Sequence, residues 1–87
     1  MTRILKYQVD ASGVVKEMPM YAKVITAGFQ GGRLTVWAIV TRDDENETST
    51  RNFQMVGTGS ELLDGFEHIA TVFDGSYVWH IGEVPAT

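Results

Sequence analysis

Apolar and polar positions alternate with a period of two in short runs along most of the chain. That period is the signature of half-buried β-strands. Residues 3–9 place Leu5, Tyr7 and Val9 on one side and Lys6 and Gln8 on the other. Asp10-Ala11-Ser12-Gly13 marks a turn, and residues 14–18 return as a short strand stopped by Pro19, which cannot donate to a ladder. Residues 22–30 predict a third strand, with Ile25, Ala27 and Phe29 opposed to Val24 and Thr26. Gly31-Gly32 is a hairpin turn, because both residues tolerate positive φ. Residues 33–41 are apolar on both faces and predict a central strand. After a polar connection, residues 51–56 resume the pattern around Phe53 and Met55, and Gly57-Thr58-Gly59 breaks it. Residues 60–66 are the one candidate helical turn, with Ser60 as N-cap and Glu61 in the first turn. Residues 68–73 and 76–84 form a last hairpin across Asp74-Gly75, a type I′ signature.

Six or seven strands joined by tight turns predict an all-β fold, mostly antiparallel. The architecture is a small sandwich or a partly closed barrel with at most one short helical turn. The 87 residues form a single domain, 1–87. So short a chain buries a limited share of its surface, and homo-oligomerisation is one way to bury more.

Composition narrows the chemistry. There is no cysteine, hence neither a disulfide nor a thiolate metal site. Met1 to Tyr7 carry charge within their apolar stretch, so no signal peptide is expected, and no apolar run reaches membrane-helix length. The net charge is −4, which disfavours non-specific nucleic-acid binding. Its distribution is uneven. The first 42 residues hold six basic and two acidic side chains; the remainder holds one basic and nine acidic. Strands from the two halves are expected to interleave and blur that asymmetry.

Candidate sites are few. Gly57, Thr58 and Gly59 suggest backbone N–H groups approaching an anion, but the spacing fits neither phosphate-loop fingerprint and no Lys follows; a strand end or bulge needing positive φ is the simpler reading. If a nucleotide bound there, Arg51 would grip phosphate and Trp37 or Trp79 would stack on the base. Arg33 and Arg42 are the other cations available. Without basic residues interleaved among them, the large aromatics read first as core, with some available to a protein interface. His68 and His80 supply at most half of a tetrahedral zinc shell, so no metal site and no cofactor is expected. Ser60, Thr58, His68 and Asp64 are close in sequence without forming a catalytic motif, and no catalytic residue is expected. Asp43, Asp44, Glu45 and Glu47 form an acidic loop suited to a basic protein partner. Asn46-Glu47-Thr48 matches a glycosylation pattern, which has no meaning without export.

Met18-Pro19, Ala22-Lys23-Val24-Ile25, Gln30, Trp37-Ala38, Phe53, Val56-Gly57-Thr58-Gly59, Thr71-Val72 and Tyr77-Val78-Trp79-His80 together resemble a family of small bacteriophage and prophage proteins. The resemblance spans nearly the whole chain. It departs from the family pattern at Ala70, at Tyr77 and over residues 81–84. It implies phage origin and a bacterial cytoplasmic location, and it carries over no catalytic residue. Three functions are then expectations: an accessory protein that binds a host or bacterial-defence protein, an oligomeric sponge for a nucleotide immune signal, and a minor virion component.

Overall fold

The computed structural model describes residues 1–41 and 46–85. Seven strands form: β1 (Thr2–Gln8), β2 (Val14–Pro19), β3 (Lys23–Gln30), β4 (Arg33–Thr41), β5 (Thr48–Gly57), β6 (Glu67–Asp74) and β7 (Tyr77–Val84). They make two antiparallel sheets, ordered β1-β4-β3 and β2-β5-β7-β6. The sheets pack face to face as a sandwich and do not close into a barrel. They approach along β3 with β6 and along β1 with β2. No helix among the described residues is long and apolar enough to cross a membrane.

The inner faces supply the core. From the first sheet come Ala27, Val36, Ala38 and Val40; from the second, Val15, Met18, Phe53 and Ile81. The strand apolar on both faces is indeed central, since β4 pairs with both β1 and β3.

Strict alternation fails at three places, each a one-residue β-bulge. In β2, Val15 faces Arg51 and Met18 faces Ser49. The extra residue turns both apolar side chains inward although they are three apart. Glu17 takes φ 56° there, the one described non-glycine residue with positive φ. In β3, Val24 opposes Ala38 and Thr26 opposes Trp37, so Ile25 is extra. This corrects the facing expected for that strand: Val24 and Ala27 share the inner face. In β6, His68 opposes Gly82 and Ala70 opposes Ile81, so Ile69 is extra. The third bulge brings His68 onto the outer face together with Thr71.

The turns follow their glycines. Gly31 and Gly32 have φ of 60° and 76° and are flanked by the pair Gln30–Arg33, as a type I′ turn requires. In the last hairpin Asp74 pairs with Tyr77, which leaves Gly75-Ser76 at the corner. Only Gly75 there has positive φ, 60°, so the turn is type II′ and lies one residue beyond the expected Asp74-Gly75.

The expected helical turn at 60–66 does not form. Gln54, on the outer face of β5, clamps the segment instead. Its Nε2 donates to Glu61 O at 3.3 Å and its Oε1 accepts from Leu63 N at 2.9 Å. Seven residues cannot nucleate a helix strongly enough to displace that side-chain clamp.

The charge asymmetry also survives folding, contrary to the expected interleaving. Strands β1, β3 and β4 carry Arg3, Lys6, Lys23 and Arg33 and no acid. Acids gather on the other sheet and its loop, at Glu17, Glu61, Asp64, Glu67, Asp74 and Glu83. The reason is topological: the first sheet is built wholly from the basic half of the chain.

The Asp10 turn carries a pH prediction. Asp10 Oδ1 accepts from Ser12 Oγ at 2.6 Å, Ser12 N at 2.9 Å and Val14 N at 3.0 Å. The Ser12 hydroxyl bond first, then the Val14 amide bond, hold its carboxyl below the ordinary value of 3.8. A lowered folded value means stability that is present at neutral pH and is lost as pH falls through that range. Thermal melts of the wild type and Asp10→Asn, followed from roughly pH 5 downward, should therefore converge. A constant gap would show that the ionised carboxylate contributes nothing.

Candidate functional site

The outer face of the second sheet carries a cluster of four hydrogen-bonded polar side chains. The strands set its membership. Val56 opposes His80 across β5 and β7, and Thr71 opposes His80 across β6 and β7. The bulge at Ile69 adds His68 to that face. Past the end of β5, the turn at Thr58-Gly59 folds back, with Gly59 at φ 94° and Ser60 N donating to Gly57 O at 3.1 Å. The returning segment places Leu62 and Phe66 over the sheet, enclosing a hollow of about 430 Å³. Val56, Gly57, Thr58, His68 and His80 line its floor and side. Val56 is buried here, outside the main core cluster.

Three residues of this hollow, Thr58, His68 and His80, form one hydrogen-bonded chain with Thr71, which stands beside the hollow on the same face. Thr58 Oγ1 is 2.9 Å from His80 Nε2; Thr71 Oγ1 is 3.1 Å from His80 Nδ1; and His68 Nε2 is 2.9 Å from the same Thr71 oxygen. The two imidazole centroids are 6.3 Å apart. A neutral imidazole has one N–H and one lone pair, and each hydroxyl both donates and accepts. The chain is therefore satisfied in either of two directions, with every proton reversed together. No carboxylate joins it, and among the described residues no three His, Asp or Glu side chains converge on a point suited to a metal.

The residues singled out in the sequence scatter. Gly57, Thr58 and Gly59 do line a hollow, but the other members of the nucleotide site do not join them within one chain. Arg51 precedes Gly57 by six positions on the same strand, about 20 Å at strand rise. Its guanidinium forks onto Glu83, Nε to Oε2 and Nη2 to Oε1, each at 2.6 Å, and Nη1 donates to Ala22 O at 2.6 Å. Trp79 follows the inward register of Ile81 on β7, so it faces away from His80. Its ring packs under Gly57, 3.8 Å from where a Cβ would stand. Trp37 belongs to the other sheet, on its outer face opposite Lys6 and Thr26, with its ring lying against Gly28. Arg33 starts β4 and is exposed. Arg42, Asp43, Asp44 and Glu45 lie outside the described residues; Glu47 is exposed, and its carbonyl accepts from Met20 N at 2.8 Å. Of the sequence-adjacent group Ser60, Thr58, His68 and Asp64, only Thr58 and His68 enter the hydrogen-bonded chain.

Thr71 was missed by sequence reading, as was the pairing of the two histidines. The usable signal was His68-Ile69-Ala70-Thr71, where two adjacent apolar residues interrupt the alternation between polar ones. Such a doubling marks a bulge and re-aims the side chains beyond it.

A second feature is the tip of the β6–β7 hairpin. Phe73 is 76% exposed and Tyr77 is 65% exposed. The Tyr77 ring stacks on Trp79, with centroids 6.0 Å apart and planes inclined by 17°. The tip thus displays aromatic surface on both sides of one two-stranded ribbon.

Searches against curated proteins and against solved structures give no match. One family model matches, described as a domain of unknown function, DUF7352, and it covers residues 1–87. The chain accordingly belongs to the DUF7352 family along its whole length.

Proposed function

We propose that the protein is a non-enzymatic bacteriophage accessory protein that binds a host or bacterial-defence protein in the bacterial cytoplasm and modulates or inhibits it. The observation that carries the binding role is the aromatic tip of the β6–β7 hairpin. Phe73 and Tyr77 stay 76% and 65% exposed on the two faces of the ribbon, more apolar surface than the isolated fold needs there. Tyr, Trp and Phe are the residues that dominate protein interfaces, where their area is buried at little entropic cost. A type II′ hairpin holds them rigidly, so little ordering is lost on docking. Phage origin and location rest on the sequence resemblance. The distance of Arg51 from the glycine turn, and its engagement by Glu83, weigh against the nucleotide-sponge alternative, which needs that cation free.

The test is affinity capture from host lysate with the wild type and with the Phe73→Ser/Tyr77→Ser double variant. A stoichiometric partner held by the wild type and lost from the folded variant is expected. No partner, or one retained equally by both, would overturn the proposal.

A further inference from the structure

We propose that His68 and His80 form a binding site for a divalent transition-metal ion of the nickel–copper class. The site lies on the outer face of the second sheet, at Thr71 beside the hollow that His68 and His80 line. This inference is independent of the protein-binding role.

Three observations on this face converge. First, His68 Nε2 and His80 Nδ1 both point at a single position, the Thr71 hydroxyl oxygen, from 2.9 and 3.1 Å. Two ring nitrogens that share one hydrogen-bonding atom are already aimed at a common centre. A metal held at about 2.0–2.1 Å from each nitrogen would take the place of the Thr71 hydroxyl oxygen, which requires the rings to close in by about 1 Å each, the hydroxyl to turn away, and the ring proton on whichever nitrogen faces Thr71 to move to the far nitrogen. Second, the outer nitrogen of His80 is already engaged. In the direction of the chain that donates Nε2–H to Thr58 Oγ1, at 2.9 Å, the lone pair of Nδ1 faces the centre. That is the arrangement of metal-ligating histidines, whose other N–H is held by a neighbouring acceptor. Third, the bulge at Ile69 exists on an otherwise regular ribbon. Its effect is to set His68 beside His80, which strict alternation would forbid.

The donor set fixes the class of ion. Two neutral imidazoles without a carboxylate suit copper, nickel or zinc, and not calcium or magnesium, which require oxygen ligands. Among the described residues no third charged or histidine ligand is at hand, so water completes the sphere. An open sphere of that kind favours nickel and copper over a closed structural zinc. Thr58 is a positioning residue, acting through His80. This gives the glycine turn a role other than phosphate binding: it delivers the Thr58 hydroxyl to the ring.

The probe is Ni²⁺ alone, titrated into chelator-stripped protein by calorimetry, with proton NMR of the imidazole resonances alongside. One ion per chain is expected. Substoichiometric Ni²⁺ should broaden the ring protons of both histidines together. His68→Ala and His80→Ala should each weaken binding by at least about tenfold, and Thr58→Val by a smaller factor in the direction of lost neighbour support. Thr71→Ala, which clears the centre, should bind at least as tightly as the wild type. Melting temperatures of the metal-free variants verify folding. If a variant fails to fold, the paired broadening in the wild type still decides. Broadening of one histidine alone, or single variants that bind like the wild type, would overturn the proposal. So would a Thr71→Ala loss as large as that of the histidine variants.

Discussion

Arg51→Ala is expected to destabilise the domain by about 2–3 kcal/mol and to lower its melting temperature by more than about 10 °C. The Arg51 side chain reaches from β5 in one sheet to the connection entering β3 in the other, since Nη1 bonds Ala22 O while the rest of the fork holds Glu83. The two side chains are 14% and 28% exposed, so the figure sits below that for a fully buried pair. Truncation strands a half-buried Glu83 carboxylate and an Ala22 carbonyl at once, and unmade bonds cost more than made ones contribute. Arg51→Lys should recover only part of the loss, because an ammonium cannot form the two-pronged contact and reach Ala22 as well. Arg51→Met with Glu83→Leu should recover most of it, since it removes both charges together. Thermal melts of the four proteins check this. If Arg51→Ala melts with the wild type, the guanidinium is not a structural tie and is free to serve a ligand.

The same residue shows where sequence reading reaches its limit. Local features were legible. The Gly31-Gly32 turn, the central position of β4 and the seven strand segments all follow from alternation and turn chemistry, which act over a few residues. Partition between the sheets did not follow. It depends on β4 lying between β1 and β3, and on β5 lying between β2 and β7, and the pattern of each strand alone is compatible with several partners. Arg51 looked like a free cation near a glycine turn because its partner is 32 residues away at Glu83. The helical expectation at 60–66 failed for a related reason. Propensity is weak over seven residues, and Gln54, outside the segment, supplies the backbone partners.

The candidate site was half legible. Gly57, Thr58 and Gly59 were correctly seen as a break that exposes backbone, yet were grouped with Arg51 and the indoles, which folding sends elsewhere. The histidines are set aside together in the sequence, by ligand count, since two of them fill at most half of a tetrahedral shell. Their convergence needs the Ile69 bulge, the β6–β7 register and the Thr58 turn together. The register and the turn were each partly visible, but their conjunction is a property of the folded sheet.

Gly82→Ala should be the most damaging small substitution on this face, at about 2–3 kcal/mol. The reason is steric and not conformational, since no positive φ is involved. Gly82 is buried on the outer face of β7, opposite Gln54 and His68. A Cβ there would run into the Phe66 ring and stand 2.6 Å from Glu67 O. The ring can swing away, but the carbonyl belongs to the backbone at the start of β6 and cannot. Phe66 must therefore leave the sheet, and the 58–66 segment lifts with it. Two measurements separate this from a general loss of packing. Limited proteolysis should open a cut within 58–66 in Gly82→Ala before the melting transition begins. The Phe66→Ala/Gly82→Ala pair should cost less than the sum of its parts, because the lost packing of the Phe66 ring is counted in both single variants and the pair has no ring to clash with. Full additivity would mean that the glycine is not there to seat the ring. Because His68 follows Glu67 directly, the same variant should also lose the paired Ni²⁺ broadening while its core remains folded, which ties the seat of the loop to the geometry of the two imidazoles.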